Sequence, residues 1–410
     1  DFEVIGGPVE GGNNDEPEGR RTKRRSHATR KVGDGHTHSF QASAHTSLSS
    51  HEINMESVSL SAAEKIIDDV CSKSLKFWKD HDIVLKRSQD TGHAVATYFS
   101  IELLSPSNDK SDAAHISFYL SYTTWDGRMV YLDRFQPPSI VSGATSEVLE
   151  KAMLQTLSLI ATGLNCVRVT WRDMTIPSWY TAEAEPHKPE TLHGWLTIAM
   201  DKEAMVEFAG ISDEDKDISS NTSEIIEACI LEAQKTRASG GNDISVRPAT
   251  AADVGSIERF VRKLAVYEKE PEAVHVTKDN YKVDGYPVGL SDGLEFFRCL
   301  MLEKSIDGTK EPIGIAMFYL GNQEEFGKLL YLEDLFIEEE HRRGGSGTHV
   351  MKILAKCAHA LGCNRFLWQA LDWNTPALNF YSKIGAKVQN GVITSRYAGE
   401  ALQSLASSVE

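Results

Sequence analysis

Apolar side chains at Ile257, Phe260, Val261, Leu264 and Ala265 recur three and four residues apart, which predicts an amphipathic helix behind the capping run Thr250-Ala251-Ala252-Asp253. A short strand, Ile244 to Arg247, is predicted ahead of it, and three longer ones behind it: Phe296 to Met301, Pro312 to Leu320 and Leu329 to Ile337. The last of these carries two acids, Glu333 and Asp334, inside a run of Leu and Tyr. Alternation along a strand turns neighbours to opposite faces, so the two acids are expected to face apart. Next, Arg342-Arg343-Gly344-Gly345-Ser346-Gly347-Thr348 opens a helix with Val350, Ile353, Leu354, Cys357, Ala358 and Leu361 on one face. A strand from Arg365 to Ala370 and a helix from Pro376 complete the pattern. This order predicts an α/β unit, a mixed and mostly antiparallel sheet flanked by helices.

The pattern occurs twice. Tyr131-Leu132-Asp133 returns as Tyr331-Leu332-Glu333, Cys166 to Trp171 as Cys363 to Trp368, and Pro177-Ser178-Trp179-Tyr180 is answered by Pro376 through Tyr381. Three matches in one order, all about 200 residues apart, indicate a duplicated domain. The expected organisation is a disordered tail over 1–52, a first copy over 53–210 and an acidic and helical linker over 211–243. A second copy over 244–400 and a C-terminal tail over 401–410 follow.

A length of 410 residues fits two such domains, and 41% apolar with 25% charged residues is the balance of a soluble globular chain. No run is long and apolar enough for a spanning helix. The net charge of -16 disfavours nucleic acid as the main partner and attracts cationic ligands. Six cysteines without CxxC pairs read as reduced thiols, with no metal site. They point to a cytoplasmic protein, with a nuclear alternative through the basic run from Arg20 to Lys31.

The glycine turn is the chemically informative place. Gly344, Gly345 and Gly347 let backbone approach an anion without Cβ obstruction, and the helix N-terminus favours a pyrophosphate. The spacing matches neither the dinucleotide nor the nucleoside-triphosphate motif.

With this turn in its setting, the second copy resembles the GNAT superfamily of acetyl-CoA-dependent N-acetyltransferases, nearest its spermidine/spermine (diamine) branch. The resemblance is carried by Val246 to Asp253, Leu264-Ala265-Val266-Tyr267-Glu268, Lys328 to Asp334 and the RxxGxG of Arg342, Gly345 and Gly347. Asp372 to Pro376, Asn379-Phe380-Tyr381 and Gly385-Ala386 extend it. It implies two tandem GNAT-type domains. It also implies acetyl-CoA held by Leu335, Phe336, Ile337, Arg342, Arg343, Gly344, Gly345, Ser346, Gly347, Thr348 and Asn374. Glu333 would be the base and Tyr381 the acid that protonates the departing thiolate, with Asp334, Glu325 and Trp195 as amine contacts. Asn374 reads equally as a helix N-cap, and the lesser alternative for Glu333 is an edge-strand surface carboxylate. Cys357 falls on the apolar stripe and reads as core.

An alkylammonium of pKa near 10 must lose a proton before it can attack a thioester, so a base is required. The first copy departs where the cofactor would sit. Ser142 to Glu147 stands opposite Arg342 to Gly347, and Glu147 would put a carboxylate against a pyrophosphate, so the first copy is expected to have lost acetyl-CoA. The second copy lacks the tryptophans of the diamine branch, whereas the first keeps Trp125 and Gly194-Trp195. Family dimers build the amine site from two subunits, which implies an intramolecular pseudo-dimer, or a homodimer, acting on a small amine. A protein N-acetyltransferase and a noncatalytic acyl-CoA-responsive interaction protein are the alternatives.

Overall fold

The computed structural model describes residues 56–73, 82–87, 98–104, 114–136, 146–173, 189–211, 221–237, 244–290, 292–342 and 344–407, all within one unit of the chain. The basic run, Ser142 to Thr145, Pro177 to Tyr180 and Arg343 lie outside them.

The first half supplies α1 (Leu60–Lys73), β1 (Asp82–Arg87), β2 (Tyr98–Leu104), β3 (Ala114–Thr123), β4 (Gly127–Gln136) and α2 (Ser146–Gly163). It continues with β5 (Arg168–Asp173), β6 (Glu190–Leu192), β7 (Trp195–Asp201) and α3 (Lys202–Ala209). α4 (Thr222–Arg237) leads to β8 (Ile244–Pro248), α5 (Val254–Tyr267), α6 (Lys278–Gly285), β9 (Arg298–Ile306), β10 (Thr309–Gln323) and β11 (Gly327–Ile337). The chain ends with α7 (Ser346–Ala360), β12 (Arg365–Leu371), α8 (Thr375–Lys383), β13 (Lys387–Val388), β14 (Ile393–Ala398) and α9 (Gly399–Ser407). The capping run closes as a capping box of Thr250 and Asp253 on the short 3-10 turn Ala251–Asp253, which leads into α5.

These strands build two mostly antiparallel sheets of seven, flanked by helices, in agreement with the expected fold class. The first runs β1-β2-β3-β4-β5-β14-β6 and the second β13-β7-β12-β11-β10-β9-β8. The copies have traded strands: β14 sits between β5 and β6, and β7 between β12 and β13. Gly194 and Gly391, at φ 80° and 79°, take the left-handed backbone that carries the chain out of one sheet and into the other. Each traded strand takes its following helix along. Residues 401–407, expected in a C-terminal tail, belong to α9, whose Leu402 and Leu405 join the first copy's core beside Leu157 and Ile160 of α2. Period-based reading misses such a helix because its apolar face is short and its partner distant in sequence. The linker helix α4 is core as well, with Ile225, Ile226, Cys229, Ile230 and Ala233 buried against α7.

The copies are also joined by a buried ion pair. Arg128 Nε donates to Asp284 Oδ1 at 2.6 Å, both side chains are 5% exposed, and the guanidinium lies over the Phe296 ring at 5.0 Å. Between the sheets, Tyr119 stacks on Tyr131 and Tyr319 on Tyr331 at 4.7 and 4.8 Å, and Arg172 lies over Tyr131 and Tyr331.

Candidate active site

β11 lies between β10 and β12, so Glu333 is on a central strand, and the edge-strand reading falls. The pairing of β10 with β11 passes from Met317↔Asp334 to Phe318↔Leu332, leaving Glu333 as the extra residue of a β-bulge. A bulge cancels strict alternation, which corrects the expectation that Glu333 and Asp334 face apart. Both carboxylates meet one loop, the turn between β3 and β4 of the first copy. Glu333 accepts from the Thr124 backbone N–H and the Thr123 hydroxyl, and Asp334 accepts from the Thr124 hydroxyl. Asp334 Oδ2 is buried without a hydrogen-bond partner.

That turn is itself held by the second copy. The Tyr281 hydroxyl donates to the Thr124 carbonyl at 2.8 Å, His275 and Val276 N–H donate to the Trp125 carbonyl at 2.7 and 3.1 Å, and His275 Nδ1 lies 3.0 Å from Asp126 Oδ1.

A third carboxylate completes the cluster. Glu268 caps the C-terminus of α5, where the helix dipole disfavours negative charge. Sequence reasoning quoted Glu268 within a motif and gave it no role; its misplacement on the dipole was the available signal. Burial, then Asp334, Glu333 and Glu270, push its carboxyl well above the usual range. Burial also raises Glu333 and Asp334, and Glu333 drives Asp334 further up. Between the ordinary glutamate value of about 4.3 and its raised folded value, Glu268 holds a proton in the fold that the unfolded chain has lost. Stability from this group therefore falls as pH rises. Glu268→Gln is expected to raise Tm more at pH 8 than at pH 5, by roughly 2–4 °C per kcal/mol of relief. A gain independent of pH in paired thermal melts refutes this.

The cofactor cradle follows from the strands. β11 and β12 pair in parallel from Leu329↔Arg365 to Leu332↔Trp368, and then β11 continues to Ile337 unpaired on that side. The resulting splay is bordered by Leu335, Phe336 and Ile337, and α7 begins beyond its mouth. Gly345, at φ 77°, is the N-cap of α7, and a Cβ there would meet nothing within 4 Å. Ser346 and Gly347 are buried and Thr348 half-buried in the first turn, while Gly344 is exposed. Arg342 Nε donates to the Ile337 carbonyl at 2.7 Å and its guanidinium lies near the Phe336 ring. An open backbone cradle at a helix N-terminus beside an arginine fits a pyrophosphate, and a strand splay fits an extended chain.

Tyr381 on α8 packs its ring edge-on to Trp368 at 5.1 Å, and burial, Glu268 and Tyr267 keep its hydroxyl protonated. Asn374 serves as the N-cap of α8, its Oδ1 accepting from Ala377 N–H and the Tyr267 hydroxyl, each at 3.3 Å. Trp195 heads β7 opposite Leu371 and meets Trp125 edge-on at 6.3 Å, so two first-copy tryptophans reach this side of the second sheet. Glu325 is not brought in: it is exposed on the turn between β10 and β11 and lies nearer Arg365. That turn serves the mirror position, where Glu324 N–H donates to Asp133 Oδ2 at 2.7 Å. There Arg134 replaces the second acid and pairs with Glu324 at 3.1 Å, and burial pushes Asp133 up to about 6. Cys357 is fully buried core, as expected.

The sequence model of the Acetyltransferase (GNAT) family matches residues 265–386. The thialysine N-epsilon-acetyltransferase of Sus scrofa is 32% identical over 171 residues, covering 40% of this chain and 97% of that protein. The spermidine/spermine N(1)-acetyltransferase-like protein 1 of Homo sapiens is 30% identical over 146 residues, 34% of this chain and 20% of that protein. An L-ornithine N5-acetyltransferase of Arabidopsis thaliana is 41% identical over 75 residues, 18% of this chain and 33% of that protein.

Proposed function

The chain belongs to the GNAT acetyltransferase family and is an N-acetyltransferase, and from this premise we propose that its second copy moves acetyl from acetyl-CoA to the primary amine of a small cationic substrate. The observation that carries the reading is the cluster of Glu268, Glu333 and Asp334 beside the splay of β11 and β12. Three acids, Asp334 buried and Glu268 and Glu333 half-buried, attract an ammonium group and leave a carboxylate able to accept its proton. A protein amine would need an open surface. A cluster roofed by the Thr123 to Gly127 turn of the first copy favours a short substrate end, and the relatives named as thialysine and L-ornithine acetyltransferases carry such amines in their names.

In this reading acetyl-CoA supplies the thioester. Gly344 to Thr348 hold its pyrophosphate, with Arg342 adjacent, and Leu335 to Ile337 border its pantetheine. Glu333 takes the proton of the ammonium group, which frees the lone pair for attack. Tyr381, whose hydroxyl keeps its proton at neutral pH, gives that proton to the departing thiolate. Trp125 and Trp195 offer aromatic faces to the cation, each worth roughly 0.5 to 2 kcal/mol within ~6 Å.

The test is thiol release against a panel of diamines, polyamines and basic amino acids. Gly347→Glu, which installs the first copy's acid in the turn, is expected to abolish acetyl-CoA binding by calorimetry. Unchanged binding overturns the assignment of the turn, and binding without turnover on every amine overturns the activity.

A further inference from the structure

We propose that Lys269, held over the indole of Trp373 at the rim of the amine site, is a specificity-determining residue that favours amines bearing a carboxylate at the end away from the reacting nitrogen and discriminates against plain diamines. The inference deepens the reading above and rests on the amine site assigned there.

α5 ends in a Schellman motif. Lys269 N–H donates to the Val266 carbonyl at 3.2 Å and Glu270 N–H to the Ala265 carbonyl at 2.9 Å, directly after the Glu268 C-cap. The residue that closes such a motif is left-handed, and Lys269 stands there at φ 68° where glycine is the usual choice. Among the described residues, the other non-glycine residues at positive φ are Asn165 and Asp307, whose short polar side chains tolerate that region. A lysine has no such ease, and backbone strain of this kind collects where a side chain has a task. Complementing the helix dipole would not require it, since a basic residue in the last turn does that without a left-handed backbone.

The strained backbone delivers an ammonium to an aromatic face. Lys269 Nζ lies 4.5 Å from the centroid of the Trp373 ring, and Trp373 is 41% exposed. Tyr267 packs against the same indole at 5.8 Å and donates its hydroxyl to Asn374 Oδ1 at 3.3 Å, and Asn374 caps the helix that carries Tyr381. On the other side, Asp372 N–H donates to the Gly194 carbonyl at 2.8 Å, next to Trp195, whose ring meets Trp125. The rim therefore runs from Lys269 and Tyr267 through Trp373 to Trp195, tied to the helix of Tyr381 at one end and to the first copy at the other.

The rim carries both signs of charge. Asp372, exposed and directly before Trp373, holds its carboxylate beside Gly194. A cation over the indole and an anion one residue before it fit a head group that is itself zwitterionic, the α-carboxylate and α-ammonium of a basic amino acid. A diamine offers Lys269 no anion and brings a second cation toward it. A cation-π contact at an exposed site is weak, whereas ammonium to carboxylate is a charge-assisted hydrogen bond. The flexible lysine stem lets the ammonium turn toward such a carboxylate.

The test compares substrates that differ only by the carboxylate, L-lysine against cadaverine and L-ornithine against putrescine, in thiol release by the full chain at saturating acetyl-CoA. The wild type is expected to favour the amino acid of each pair in kcat/KM. Lys269→Met lowers kcat/KM for the amino acid by about 10-fold, the low end for a hydrogen bond to a charged group, and raises it for the diamine. Lys269→Arg keeps the preference and Lys269→Glu inverts it. Lys269→Gly separates selection from folding: it raises Tm by relieving the left-handed backbone, yet loses the preference as Lys269→Met does. A wild type that prefers the diamines, a preference unchanged in Lys269→Met and Lys269→Glu, or an equal loss on both members of a pair overturns the proposal. If Lys269→Met does not fold, Lys269→Gly decides. Calorimetric binding of the same pairs in the presence of CoA reads the preference without turnover, so absence of thiol release with every amine refutes the underlying activity, while the binding preference still decides the role of Lys269.

Discussion

Glu333→Gln lowers turnover at pH 7 by about 10²- to 10⁴-fold, the range of a lost general base, with acetyl-CoA affinity retained. The amide keeps the shape of the side chain and can still meet the Thr123 and Thr124 donors through its oxygen, so the bulge is expected to persist. What it cannot do is accept a proton. Part of the rate returns as pH rises, because a growing fraction of the amine is already neutral near its pKa of about 10. Thiol release from pH 6 to 10 at saturating acetyl-CoA measures this. A variant as active as the wild type at pH 7 shows that another group is the base, and Asp334, which meets the same loop, is then the first to substitute.

The second large effect concerns the two copies as one object. A fragment of residues 221–410 is expected not to exist as an active monomer, because the second sheet is completed by a strand that such a fragment lacks. Without β7, β12 and β13 have no partner between them, and β14 has no β5 or β6 beside it. Two unpaired edges invite self-association. Asp284 also loses Arg128, and breaking a buried pair on one side costs about 3–5 kcal/mol, a large share of the ~5–15 kcal/mol that holds a typical domain together. Glu333 loses both Thr123 and Thr124. The fragment should aggregate, or pair with itself by placing β14 where β7 belongs. Sedimentation and an amine titration separate the outcomes, and a monomer with the full chain's KM overturns the account.

A strand exchange of this kind leaves little local trace. β6 and β13 are three and two residues long, and their neighbours β7 and β14 carry ordinary strand patterns that suit either sheet. What periodicity reports is that a segment has one buried face, and it is silent on which surface covers that face. Gly194 and Gly391 mark the crossings, yet a glycine before a strand reads as any turn.

The same division runs through the active site. The amphipathic face of α5, the glycine turn before α7, the acidic pair on a hydrophobic strand and the duplication were all legible in the residues, because each is a short-range pattern of spacing or composition. They were sufficient to predict an α/β chain built twice and to point to an acyl-transfer family. The tertiary structure decided the rest. It turned Glu333 and Asp334 toward one loop through a bulge, since alternation is a property of the regular ladder and the bulge lies in the pairing of two strands. It brought Glu268 to that pair from a helix end more than sixty residues away, and it set Trp125 and Trp195 of the first copy against the second. It also left Glu325 exposed on a hairpin turn whose neighbour Glu324 meets Asp133, because that turn crosses to the other copy. Spacing along a chain records which face a side chain belongs to; which other faces meet it is settled by packing between segments about two hundred residues apart, and that information is held in no single stretch of the sequence.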